Sequence, residues 1–263
     1  MAHTNQTALV TGASFGLGAE FARLFARDKY NLVLVARSGS KLAELAEELR
    51  LHHGVTVKTI PLDLTLPQSS QNLFDETHRS GIHVDTLVNN AGYGLSGMFA
   101  DMPVEDCYGQ IQLNVAALTL LTRLYLGPML ERRSGRIMNI ASTAAFQPGP
   151  RMAVYYATKA YVLSFTEAIA DELRNSGVKV TCFCPGATLT EFQKRAQTEN
   201  SRLFKQLSPM DAKTVAALGY RALTEGKTLA IPGLVNWLVA ESVRFAPRKM
   251  VTVISRWIAE PAK

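Results

Sequence analysis

The chain has 263 residues, 47% of them hydrophobic, and a net charge of +6. Length and apolar content suit a globular protein with a substantial core, and three scattered cysteines, Cys107, Cys182 and Cys184, exclude a disulfide framework. The positive balance does not mark a nucleic-acid binder, because no basic run is interleaved with aromatics and no zinc-finger spacing occurs.

The N-terminal "MAHTNQTALVTG" lacks a basic-then-apolar leader. The longest uncharged run, Cys107 to Thr122, is 16 residues with Gln110, Gln112 and Asn114 inside it. A membrane span needs about 20 apolar residues, so none is expected, and a cytoplasmic protein is. "TALVTG" (Thr7 to Gly12) reads as a first buried strand. It runs into "TGASFGLG", with Gly12, Gly16 and Gly18 between the strand and a helix, Leu17 to Asp28, that carries Phe21, Leu24 and Phe25 at helical spacing. Glycines there permit a tight turn and close approach of backbone to a pyrophosphate, and the helix N-terminus adds free N–H groups and positive dipole.

"NLVLVA" (Asn31 to Ala36) is the second strand, followed by an amphipathic helix with leucines at 42, 45 and 49. "VTVKTIPLD", "VDTLVNNAG", "GRIMNIAS" and "VKVTCFCPG" are further strands, with helical segments between them. Their Val/Ile/Leu runs are continuous rather than alternating, which indicates strands covered on both faces. Strand and helix in alternation predict an α/β fold: one doubly wound parallel sheet of Rossmann type, in a single domain over 1–263. Cys182 and Cys184 fall in the last of these runs as core cysteines. No His or further Cys stands at ligand spacing, so no metal is expected.

"YYATK" (Tyr155 to Lys159) leaves two tyrosines open, since i,i+3 and i,i+4 residues are both neighbours on a helix. The glycine spacing, "NNAG" after the fourth strand, Asn114, Ser142 after the fifth strand, "YYATK", and "PGATLT" after the sixth come in one order over residues 7 to about 190. This set resembles the short-chain dehydrogenase/reductase family. "LVLVAR" and "NNAGYGLSG" resemble its branch of hydroxysteroid and long-chain 3-oxoacyl reductases.

The resemblance implies Tyr-x-x-x-Lys with a serine 13 residues before the tyrosine. Since 155 − 142 = 13, it selects Tyr155; the same offset from Tyr156 falls on Thr143. It further implies that Ser142 hydrogen-bonds the substrate oxygen, that Lys159 holds the nicotinamide ribose, and that Asn114 orders a water relaying protons to Lys159. A lysine ammonium about 4 Å from the phenol contributes roughly 4 kcal/mol at an effective dielectric of 20, enough to lower the tyrosine pKa by up to roughly three units. Tyr155 is therefore expected near neutrality, where general acid/base catalysis works best.

The cofactor set implied is Gly12, Ser14, Gly16, Leu17, Gly18, Asp63, Leu64, Asn90, Ala91, Gly92, Pro185, Gly186, Thr188 and Thr190, with Tyr155 and Lys159. At the end of the second strand Ala36 replaces the carboxylate that would favour NAD, and Arg37 and Ser38 follow. An arginine fork suits a 2′-phosphate, so NADPH is expected, although Phe15 is not the basic residue many NADP-using relatives carry. Two functions stand open: hydride transfer between NADPH and an apolar carbonyl or alcohol, and a catalytically silent nucleotide-binding or regulatory protein on the same fold.

Tyr93, Leu95, Met98, Phe146, Met152, Phe192 and Phe204 are expected around the substrate, which would then be larger than a simple ketone. A homo-dimer or homo-tetramer is the expected assembly. Residues 191–263 read as a variable substrate lid with C-terminal amphipathic helices, and hold 12 basic against 6 acidic residues, while 1–190 balance at 16 against 16. In "KMVTVISRWI" a stripe of Met250, Val253, Ile254 and Trp257 has Lys249 and Arg256 off it. The lack of a polybasic cluster favours a stripe that covers the protein's own pocket or a subunit partner; the alternative is peripheral contact with a membrane.

Overall fold

The computed structural model describes residues 6–189, 191, 196 and 209–260. Seven strands, β1 (Thr7–Thr11), β2 (Asn31–Ala36), β3 (Val57–Pro61), β4 (Thr86–Asn89), β5 (Gly135–Ile140), β6 (Val178–Phe183) and the two-residue β9 (Leu229–Ala230), form one sheet in the order β3-β2-β1-β4-β5-β6-β9. Every neighbouring pair is parallel. A separate pair, β7 (Thr188–Leu189) and β8 (Met210–Asp211), lies after β6.

The continuous apolar runs are explained by the two cores they serve. Successive strand side chains point to opposite faces. Ala8, Val10, Leu32 and Leu34 pack with α1 (Gly16–Arg27), α2 (Gly39–His53) and α7 (Ala212–Thr224), around Phe21, Phe25, Leu49 and Val215. Leu9, Val33, Val35 and Leu87 pack on the other face with α3 (Ser69–Arg79) and α5 (Leu118–Glu131), around Leu73, Leu121, Tyr125 and Met129. Cys182 and Cys184 are fully buried at the end of β6 with their sulfurs 3.7 Å apart.

Between β4 and β5, α4 (Val104–Ile111) passes through a π-helical turn, Gln112–Ala117, into α5 without a break. The joined helix, Val104–Glu131, is long and apolar enough to cross a membrane, which the interrupted uncharged run does not anticipate. Part of it packs in the second core, with Leu121 and Met129 almost completely buried. α6 (Ala153–Glu172) follows β5, and α8 (Leu234–Ser242) and α9 (Arg248–Ala259) end the described chain.

The topology places the site. The chain fills the β3 edge first and then crosses to β4 on the far side of β1, so the winding reverses between β1 and β4. A crevice opens at such a switch point beyond the carboxyl ends of the strands. The glycine loop, Arg37, Asn90, Ser142 and Pro185 all stand at those ends.

Candidate active site

The loop after β1 is shaped by contacts no side chain could share. Gly12 has φ +66°, and a Cβ on it would stand 2.8 Å from Asn90 Nδ2 and 2.9 Å from the Ala91 Cα. Gly16 is also left-handed, at φ 57°. Asn90 fastens the loop by donating from Nδ2 to the Thr11 and Gly12 carbonyls at 3.0 and 3.2 Å. The Thr11 hydroxyl accepts from the Asn90 and Ala91 amides, both at 3.0 Å. Gly18 faces this seam rather than the crevice, since its Cβ would meet Gly12 O and Asn90. Backbone therefore lies open at the N-terminus of α1, a cradle that fits a pyrophosphate.

One cavity of about 1480 Å³ runs over the strand ends. That exceeds the roughly 300–1,000 Å³ of a pocket for one small ligand, and leaves room for a dinucleotide and a substrate together. Gly12, Ser14, Gly16, Leu17, Arg37, Ser38, Asp63, Leu64, Asn90, Ala91 and Gly92 line one end of it, and Ser142, Tyr155, Lys159, Pro185, Gly186 and Thr188 another. Of the expected cofactor set, Gly18 lies off the wall and Thr190 outside the described residues. The Asp63 carboxylate accepts from the Thr65 amide and hydroxyl at 2.9 and 2.7 Å, and stands 3.9 Å from Arg37. Lys41, which the sequence reading passes over, joins the wall with its ammonium 5.7 Å from the Phe15 ring centroid. It brings a second cation beside Arg37, next to the phenylalanine that replaces the expected basic residue.

Ser142, Tyr155 and Lys159 converge at the floor. Ser142 caps a short 3-10 turn: its Oγ accepts from the Ala144 amide at 3.1 Å, donates to the Pro185 carbonyl at 3.4 Å, and is hydrogen-bonded to Tyr155. Lys159 donates to the Ile140 carbonyl at 2.7 Å and lies 5.7 Å from the Tyr155 ring centroid. Tyr156 packs edge-on to Tyr155, with ring centroids 6.1 Å apart, and lines the cavity beside it. Asn114 sits in the π-helical turn, a device common at functional sites. Its amide donates to the Tyr93 carbonyl at 2.8 Å and Thr158 Oγ1 at 3.0 Å, and accepts from the Tyr93 amide at 3.1 Å. Asn114 thus ties the segment after β4 to α6, behind the cavity wall rather than on it.

The expected depression of the Tyr155 pKa is absent. Burial pushes the phenol above its ordinary value, and the Ser142 hydrogen bond offsets only part of the rise. Lys159 is itself lowered from 10.5 to about 8, first by burial, against which the nearby Cys182 and Cys184 act. Both groups leave water together, so desolvation outweighs their attraction. Tyr155 is consequently a neutral proton donor at neutral pH, backed by a lysine that titrates close to it.

The substrate end departs from expectation in part. Tyr93, Leu95 and Met152 line it, but Met98 is exposed and Phe146 packs behind, against the Cys182–Cys184 core; Phe192 and Phe204 lie outside the described residues. The roof is α8 and α9, through Val235, Asn236, Val239, Ser255 and Ile258. Gln147 also lines the cavity, and its Oε1 is buried with no hydrogen-bond partner among the described residues. The α9 stripe does not cover the pocket: Met250, Val253, Ile254 and Trp257 are about half exposed, and Val251 and Ser255 are the buried face. Among the described residues no group of three His, Cys, Asp or Glu side chains could hold a metal.

A family profile described as short chain dehydrogenase matches residues 6–201. The sulfoacetaldehyde reductase 2 of Chromohalobacter salexigens is 36% identical over 222 residues, 82% of this chain and 87% of that one. A short-chain dehydrogenase from Sphingobium yanoikuyae, solved in complex with NADPH, superposes with a TM-score of 0.82 at 33% identity, over 91% of this chain and 94% of that one. The bulky-bulky ketone specific alcohol dehydrogenase from Comamonas testosteroni superposes with a TM-score of 0.78 at 30% identity, over 92% and 93%.

Proposed function

The chain belongs to the short-chain dehydrogenase family, and we propose that it is an NADPH-dependent reductase of large, apolar ketones, running in reverse as an alcohol dehydrogenase. The observation that carries this is the single cavity in which the glycine cradle, the Arg37–Lys41 cation pair, the Ser142–Tyr155–Lys159 cluster and an apolar roof face one another.

A bound nicotinamide cofactor supplies or accepts the hydride. The chain's own residues position the carbonyl and move the proton. Ser142 and Tyr155, already hydrogen-bonded together, form a pair of hydroxyls for one carbonyl oxygen. Tyr155 donates its proton to that oxygen, and its buried, neutral phenol is in the protonation state the step requires. Lys159, with a pKa pushed down to about 8, reprotonates the tyrosine. Asn114 holds α6 and the Tyr93 segment in register, which keeps Lys159 in place.

Arg37 and Lys41 support the preference for a 2′-phosphate through charge, and the NADPH bound to the Sphingobium relative is consistent with it. For the substrate, the relatives differ: one is named for sulfoacetaldehyde, a small anion, the other for bulky ketones. Apolar side chains around the cavity favour the second class, and Lys159, engaged by the Ile140 carbonyl, is the one cation beside the substrate end among the described residues that line it. The test is oxidation of NADPH and NADH over ketones from acetone to polycyclic and long-chain carbonyls. Catalytic efficiency should climb with apolar bulk, with NADPH preferred. A flat profile refutes the substrate class, and no turnover at all refutes the enzyme.

A further inference from the structure

We infer that the outward faces of α8 and α9 form a docking surface for a bilayer carrying anionic lipid. Of 22 exposed large apolar side chains among the described residues, ten fall between Leu234 and Trp257. Trp237, Leu238, Phe245, Val253, Ile254 and Trp257 are among them, and Phe245 is 88% exposed. Such a concentration calls for an occupant. It is not the protein's own pocket, because only Leu234, Val235 and Val239 of the ten also line the cavity, and the α9 stripe does not reach it.

Charge decides between occupants. From Leu234 to Glu260 the cations are Arg244, Arg248, Lys249 and Arg256, and the anions only Glu241 and Glu260. Glu241 already pairs with Arg244 at 3.4 Å. On a helix of 3.6 residues per turn, Lys249 and Arg256 share one edge of the α9 stripe, and the protein covers the other. A second copy would meet the patch with the same patch, setting cations against cations. Anionic headgroups accept those cations while the acyl boundary accepts the tryptophans and aliphatics. With 9 and 12 residues, α8 and α9 are too short to span a bilayer, which takes about 20, so they lie along its surface.

The patch adjoins the mouth of the cavity. Leu234, Val235 and Val239 line the cavity and are also half or more exposed. A docked protein would therefore take an apolar substrate directly from the lipid phase. That second step rests on the reductase reading above; the docking does not.

The test uses the whole chain and its own probes, because its two tryptophans, Trp237 and Trp257, both lie on the patch. Phosphatidylcholine vesicles with and without phosphatidylglycerol are titrated against the protein, following tryptophan emission and sedimentation. The expected result is a blue shift and co-sedimentation with the anionic vesicles, weakening as salt rises. Phe245→Glu and Val253→Glu should reduce binding at least tenfold and leave NADPH binding unchanged. Failure of the intact protein to bind anionic vesicles at low salt overturns the proposal. So does a dimer that the same two substitutions dissociate, in a protein that ignores vesicles. Vesicle binding without any ketone turnover would uphold the docking and sink the reductase reading instead.

Discussion

Replacing Lys159 by Met should change how stability depends on pH, in a direction the burial of the lysine fixes. The native pKa is about 8 against 10.5 for the free group. Below the native value both states are protonated, and folding carries the full cost of burying the ammonium. Between the two values the unfolded chain binds more protons than the native one, so stability rises with pH across that window. Integrating the linkage relation between pH 7 and pH 9 gives the wild type a gain of about 1.3 kcal/mol relative to a chain without the lysine. Tyr155 and Cys184, both shifted upward, remain in the variant, so their titration largely cancels in the difference. The absolute offset at pH 7 is less decisive, because Met also leaves the Ile140 carbonyl without its donor. Urea denaturation of both proteins at the two pH values measures the gap. Parallel changes, or a wild type that loses ground, would refute a buried, down-shifted Lys159.

Tyr155→Phe should lower turnover by about 10²–10⁴-fold, the usual worth of a general acid, with NADPH binding retained in a fluorescence titration; Tyr156→Phe should keep most activity, and the reverse pattern would reassign the acid. Arg37→Ala should weaken NADPH about tenfold, nearer the low end of a charge-assisted contact because Arg37 is 65% exposed, and leave NADH nearly unchanged. Adding Lys41→Ala should deepen that loss, and equal losses for both cofactors would make these cations structural. Gly12→Ala, forced to φ +66° with its Cβ against the Ala91 backbone, should impair binding of both cofactors by isothermal titration. Gln147→Leu removes a buried acceptor without a partner among the described residues, so it should raise efficiency on purely hydrocarbon ketones about fivefold and lower it on substrates with a nearby hydroxyl.

The parts of the molecule that were legible from sequence are those where one local signal has one structural meaning. A run such as "NLVLVA" can only be covered on both faces, and Leu32 and Leu34 enter one core while Val33 and Val35 enter the other. The thirteen-residue offset that the family resemblance implies pairs Ser142 with Tyr155, and the two are hydrogen-bonded because one stands just beyond β5 and the other in the first turn of α6. Spacing is silent about solvent, however. It places Lys159 beside Tyr155 but not the desolvation that raises the phenol, nor the Ile140 carbonyl that engages the ammonium. It is equally silent about Gln147 and Lys41, which reach the cavity only through the way the turn after β5 and the start of α2 are carried over the sheet.

The same limit explains the terminal helices. A stripe at 250, 253, 254 and 257 proves amphipathicity but carries no sign. Apolar stripes face inward when the rest of the fold supplies an apolar counterpart, and here α9 turns Ser255 and Ile258 to the cavity and buries Val251 instead. A short polar residue such as Ser255 at the packed face lets α9 sit close over the pocket as its roof, and the bulky residues then face out. The outward stripe is then a consequence of how the pocket is closed. A substitution that enlarges the inner face, such as Ser255→Leu, should lift α9, loosen the roof, and alter substrate selectivity and tryptophan emission together.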